Sequence, residues 1–161
     1  MARSRVCLAR LVTCVEILTP LSCASVGRYA SRKVAHISHE DTIRAYYAAW
    51  VRDDLEAVLA LCTDDVVAVN VPIGPVAGKT AVRGFLTRFG EGMSAKRYDV
   101  HRILVSGDSA VVEGVESYQK GDRQVRLPYM STFLFSGEKI SEWRDYFDLH
   151  TVLRQLELPC R

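Results

Sequence analysis

The apolar positions of this chain fall into helical spacing first and strand spacing afterwards. In the run beginning "SHED", Ser38 stands where a helix N-cap belongs and Asp41 follows three residues on, ahead of Ile43, Tyr46, Tyr47 and Trp50 on one helical face. After "RDD", Leu55, Val58, Leu59 and Cys62 recur at i, i+3, i+4 and i+7, which predicts a second, short helix with Cys62 buried in it. "TDDVVAVNVPIGP" reads as a strand ended by Pro72, Gly74 and Pro75. A third helix is predicted in "GKTAVRGFLTRFG", where Val82, Phe85, Leu86 and Phe89 make the apolar stripe and Gly90 the stop.

Everything from "RYDVH" to "DYFD" alternates as sheet. Four strand-like runs are broken by "SGDS", "KGDR" and "SGEK", each a turn signal at hairpin spacing, so the four form a meander. A closing helix, "LHTVLRQLEL", puts Leu149, Val152, Leu153 and Leu156 on one side. The expected fold is α+β: a curved antiparallel sheet, shaped as a cone around a pocket, packed against N-terminal helices and finished by a short C-terminal helix.

Composition changes this picture little. The chain has 161 residues, 48% hydrophobic and 25% charged, enough for one real core and unlike a disordered or collagenous chain. The formal charge of +2 hides an asymmetry, because residues 1–39 carry six basic side chains against Glu16 alone and leave a small acidic excess in the remainder. Such a domain has no electrostatic footing for nucleic acid. Residues 1–37 read as a disordered or cleavable extension, and 38–161 as the single domain. Within the extension, "LVTCVEILTPLSCASVG" has the basic start and small residues of a secretory signal, interrupted by Glu16 and Pro20. Its uncharged run is too short to span a bilayer, so no membrane partner is expected, and the domain is read as cytoplasmic with secretion as the alternative. Neither the five cysteines nor His36, His39, His101 and His150 have the spacing of a disulfide framework or a metal site, and "GPVAG" lacks the lysine of a phosphate loop. No cofactor and no metal are expected.

One stretch carries chemistry. In "EWRDYFDL", strand alternation puts Trp143, Asp145 and Phe147 on one face and Arg144, Tyr146 and Asp148 on the other. A carboxylate between two large aromatics on the buried face is costly unless it faces a cavity that admits water and substrate. The rival explanation is a structural carboxylate bonded within the fold. Tyr129, in "RLPYM", shares parity with Leu127, and Tyr47 and Trp50 lie on the inward face of the first helix; core packing is the rival for each of these aromatics.

These same residues resemble the limonene-1,2-epoxide hydrolase family, within the nuclear transport factor 2-like and polyketide-cyclase-like cone fold. The likeness runs from about Glu40 to Leu156 through "DDVVAVNVPIGPVAGKTAV", "VVEGVESYQ", "LPYM" and, most specifically, "WRDYFDL". It implies one-step hydrolysis without metal or covalent intermediate. In that family an aspartate acts as base on a water also held by a tyrosine and an asparagine, a second aspartate protonates the epoxide oxygen, and an arginine bridges the two acids. Carried over, the base is Asp145 and the asparagine Asn70, whereas Ala68 stands for the tyrosine, Gly114 for the arginine and Glu116 for the second acid. Tyr129, Tyr47, Trp50, Leu127, Trp143 and Phe147 are expected to surround a small apolar substrate, for which the resemblance implies a terpene- or polyketide-type epoxide, and by analogy with such relatives a homodimer through the open face of the sheet is expected.

Two acids facing one apolar pocket raise each other's proton affinity, so Glu116 and Asp145 can serve as acid and base without the arginine. Two alternatives stay open: an isomerase or cyclase in which Asp145 or Glu116 shuttles a proton and Tyr129 stabilises an enolate, and a non-catalytic small-molecule-binding cone.

Overall fold

A computed structural model describes residues 37–159 of the chain. The reading of the extension as cleavable or disordered lies almost wholly outside the described residues. The elements run α1 (His39–Val51), α2 (Leu55–Ala60), β1 (Cys62–Asn70), β2 (Gly74–Ala77), α3 (Lys79–Gly90), β3 (Met93–Ser106), β4 (Ser109–Lys120), β5 (Arg123–Ser136), β6 (Lys139–Phe147) and α4 (Leu149–Gln155). The six strands form one curved, unclosed sheet in the order β2-β1-β6-β5-β4-β3.

Local chemistry sets the helix starts. Ser38 and Asp41 close a reciprocal capping box, Ser38 Oγ accepting from the Asp41 amide at 3.1 Å and the Asp41 carboxylate accepting from the Ser38 amide at 3.3 Å. Asp54 caps α2 by accepting the Ala57 amide at 3.0 Å. Cys62, expected in α2, is instead the first residue of β1. The helix stops at Ala60 because the Leu61 carbonyl is taken by the Ile140 amide at 2.9 Å, which draws the next residues into the sheet beside β6.

Two further features depart from the sequence reading. The segment Gly74–Ala77 is a strand, pairing antiparallel with β1, and it tolerates Pro75 because β2 is the sheet edge, where a missing N–H leaves no ladder bond unmade. Moreover, β1 runs parallel to β6, so this one pairing departs from the antiparallel pattern. The meander β3 to β6 is antiparallel throughout.

The helices cover the inner face of the sheet. Tyr46 of α1 packs edge-on against Phe133 at 5.7 Å and lies 5.4 Å from Trp143, and these side chains join Ile43, Val58, Val66, Val82, Val112 and Ile140 in the main core. Burying such side chains, at roughly 1.5–3 kcal/mol each, seats α1 against the sheet. A smaller cluster of Tyr118, Val125 and Leu127, covered by Val152 and Leu156 near α4, closes one end. Among the described residues, no helix is long and apolar enough to cross a membrane.

Candidate active site

The sheet register lines up the polar residues of the inner face. Val112, Ser131, Asp145 and Asn70 are successive cross-strand partners from β4 through β5 and β6 to β1. The adjacent inward row is Gly114, Tyr129 and Phe147, and the next pairs Tyr98 with Glu116 and Glu116 with Leu127. Asp145 and Glu116 therefore approach the same region from two strands, with Tyr129 of β5 between them.

Each acid is held by a hydroxyl. Ser131 Oγ donates to Asp145 Oδ1 at 2.6 Å and itself accepts from the Tyr47 hydroxyl at 3.1 Å, a relay running from α1 through β5 to β6. The Tyr98 hydroxyl donates to Glu116 Oε2 at 2.6 Å. The Tyr47 and Tyr98 rings stack at 4.8 Å, so the two clasps brace one another.

Burial dominates the electrostatics. Loss of water pushes the Asp145 carboxyl up to about 6, against the opposing pull of the Ser131 hydroxyl and the Trp143 side chain. Glu116 is pushed up to about 7, first by burial and then by the negative charge of Asp145, with the Tyr98 hydroxyl pulling the other way. Near neutral pH, Asp145 is thus mostly the base, while Glu116, about half protonated, can supply the proton. Burial also raises Tyr129 to about 12, and the nearby Tyr47 hydroxyl offsets only part of that, so Tyr129 remains a proton donor.

A cavity of about 30 Å³ lies among Asn70, Phe89, Tyr98, Glu116, Tyr129, Asp145 and Phe147. A second, of about 20 Å³, lies beside it, walled by Tyr46, Tyr47, Trp50, Phe85 and Leu86 together with Asn70, Phe89, Tyr98 and Asp145. Each has room for about one water, which needs roughly 10–15 Å³. Two buried polar atoms on the wall of the larger one, Asn70 Oδ1 and the Tyr129 hydroxyl, have no partner meeting hydrogen-bond geometry within the protein. Buried polar groups are costly to leave unpaired, so this wall is built to bind a polar guest between the two carboxyls.

Gly114, at the position where the resembled family has arginine, is explained by its surroundings. A Cβ there would collide with the Asp99 carbonyl and lie 3.1 Å from the Tyr129 hydroxyl. That carbonyl belongs to the residue before Val100, the partner of Gly114 on β3, and the Tyr129 phenol occupies the space above the glycine. No cation lines either cavity. Ala68, opposite Trp143, is wholly buried in the main core, so the phenols at this site come from Tyr129 and Tyr98 instead.

Of the residues expected from sequence, Asp145, Glu116, Asn70, Tyr129 and Phe147 meet around the larger cavity, and Tyr47 and Trp50 border the smaller. Leu127 and Trp143 border neither: Leu127 packs in the smaller cluster near α4, and Trp143 fills the main core against Tyr46. Ser131, Tyr98, Phe85 and Phe89 are additional site residues. Ser131 carries a legible signal, a polar side chain at the inward parity between Tyr129 and Phe133.

The SnoaL-like domain model matches residues 43–143. The chain is 26% identical over 114 residues to the epoxide hydrolase EphG of Mycobacterium tuberculosis, covering 71% of this chain and 76% of that one. Among solved structures, an M. tuberculosis epoxide hydrolase described as LEH-like superposes with a TM-score of 0.65 at 25% identity, over 74% of this chain and 92% of that one. A Shewanella denitrificans protein described only provisionally as a SnoaL-like polyketide cyclase superposes with a TM-score of 0.67 at 18% identity, over 74% and 96% respectively, and shares the fold.

Proposed function

Since the chain belongs to the SnoaL-like domain family, we propose that it is an acid/base enzyme that opens an apolar epoxide with water, without a cofactor. Asp145 takes a proton from a water as the water oxygen attacks an epoxide carbon. The carbon–oxygen bond breaks, and the departing oxygen takes the Glu116 proton, giving a diol. Asn70 Oδ1 and the Tyr129 hydroxyl orient the water and the epoxide oxygen. The carrying observation is that two carboxyls with raised proton affinity face one cavity whose wall also presents two unpartnered polar atoms. Similarity to EphG and to the LEH-like structure supports the same chemistry.

A second reading is an isomerase or cyclase, favoured by the cation-free wall and by Tyr129 in the place of the family's bridging arginine. There Asp145 removes a carbon-bound proton, Tyr129 stabilises the enolate, and Glu116 returns a proton. Incubation with a panel of epoxides and enones in ¹⁸O-labelled water separates the two. Label in a diol supports hydrolysis, whereas an unlabelled isomer supports the second reading. In either case Asp145→Asn is expected to lower turnover by roughly 10²–10⁴-fold while the protein stays folded. Turnover at the parent rate in that variant contradicts both.

A further inference from the structure

The site is chemically furnished but too small for an organic substrate. Its two cavities measure about 30 and 20 Å³, whereas pockets for drug-sized organic ligands measure roughly 300–1,000 Å³. An organic substrate therefore reaches Asp145 only if part of the wall moves.

The walls differ in how firmly they are held. Asn70 and Asp145 sit on paired strands, with the Val71 amide bonded to the Asp145 carbonyl at 2.9 Å. Tyr47 and Tyr98 are tied through their hydroxyls to Ser131 and Glu116. Tyr129 is fixed over Gly114. Trp50 is held by the buried Lys96 ammonium, 4.1 Å from its ring centroid, and by Gly90, where an added Cβ would come within 3.1 Å of the ring. Leu86 is buried in the main core, and Phe147 is wedged between the two apolar clusters.

Phe89 is different. Half-buried like Phe85, Tyr98 and Phe147, it borders both cavities, has no hydroxyl to tie it as Tyr98 has, and makes as ring contacts only stacking on Phe85 at 5.6 Å and a looser approach to Trp50 at 6.4 Å. It lies in the last turn of α3, one residue before Gly90 and three before Gly92, whose φ is +73°. A half-buried aromatic ring in the last turn of a helix changes rotamer more readily than one in a close-packed core.

We infer that Phe89 is the gate of this site and sets the size of the substrate that Asp145 and Glu116 receive. Rotation of its ring outward joins the two cavities and opens them to solvent along α3. The class admitted is a compact, neutral, oxygen-bearing hydrocarbon, whose carbon skeleton takes the place of the ring against Phe85, Leu86 and Trp50 while its oxygen meets Tyr129. The substrate class rests on the proposed function; the gate does not.

The test is equilibrium binding of two unreactive cyclic ethers, tetrahydrofuran and the bicyclic 1,8-cineole, to the parent protein, Phe89→Ala, Phe89→Leu, Phe89→Trp and Phe85→Ala. Cineole is expected to bind Phe89→Ala roughly tenfold or more tightly than the parent, with Phe89→Leu intermediate, Phe89→Trp weaker than the parent, and tetrahydrofuran changed less than about threefold. Phe85→Ala, altering a ring that borders one cavity only, is expected to shift cineole less than Phe89→Ala. Equal cineole affinity across the Phe89 series, no binding to Phe89→Ala and Phe89→Leu, or an equal effect at Phe85 overturns the gate. Binding needs no turnover, so a graded Phe89 series with no diol from any epoxide upholds the gate and rejects hydrolysis, while diol formation with a flat series does the reverse.

Discussion

The Ser131 hydroxyl donates to Asp145 Oδ1 at 2.6 Å while accepting from Tyr47, so the proposed base is oriented by a side chain on the neighbouring strand rather than by a cation. That hydroxyl also holds the Asp145 proton affinity down against burial. Ser131→Ala should move the acid-side limb of the kcat/KM profile to higher pH than the parent's, which is set near 6, and lower kcat roughly ten- to hundredfold through lost orientation. A pH–rate profile of this variant checks both effects.

Tyr98→Phe should act on the opposite limb. The Tyr98 hydroxyl lowers the Glu116 proton affinity, so its removal raises Glu116 further above about 7, and the alkaline limb, where the acid loses its proton, moves to higher pH. The Ser131 and Tyr98 variants thus shift different limbs in the same direction. A matching shift of the acid-side limb in Tyr98→Phe contradicts the assignment of roles.

Gly114 and Tyr129 should be energetically coupled. Gly114→Ala puts a Cβ against both the Asp99 carbonyl and the Tyr129 ring, and should cost about 1–3 kcal/mol in denaturant unfolding. Tyr129→Leu in that background should recover only part of the loss, because the backbone clash with Asp99 remains. Strict additivity of the two substitutions would show that the ring does not depend on the glycine.

Stability should respond to pH through the two acids. Both have folded-state proton affinities above their unfolded values of about 3.9 and 4.3. The folded state therefore binds more protons than the unfolded state between about pH 4 and 7, and the stability present below that window is lost as pH rises through about 6 and 7. Asp41, Glu56, Asp64 and Asp148 are held low by hydrogen-bond or ion-pair partners, so their contribution is lost as pH falls below about 4 and does not overlap this slope. Denaturant unfolding at pH 5 and pH 8 should show the decline, and Asp145→Asn with Glu116→Gln should flatten it.

Much of this arrangement is legible in the sequence because it follows from period. Strand alternation alone puts Asp145 inward between Trp143 and Phe147, and helical spacing puts Tyr46, Tyr47 and Trp50 on the sheet side of α1. What stays hidden depends on register and close approach. The β3 register shifts, between Ser94 and Arg97 and again between Val100 and Arg102, break the alternation that would otherwise reveal Tyr98 as the partner of Glu116. The reason for Gly114 lies in a carbonyl from β3 and a ring from β5, neither of which is near it in sequence. Cys62 reads as helical because its spacing from Leu55 and Leu59 is right, yet sheet pairing at Leu61 prevails over helical continuation. Cavity size depends on how α3 seats against the cone, which no local pattern encodes.

In the proposed reaction Asp145 and Glu116 share one small cavity and divide the roles of base and acid. Carboxyl ¹³C NMR titration of the folded protein tests it most directly. One resonance is expected to titrate near 6 and another near 7, with the Glu116 transition falling to lower pH in Asp145→Asn, because the neighbouring charge that raises it is gone. Both carboxyls titrating near 4, or a Glu116 transition indifferent to the loss of the Asp145 charge, would contradict it.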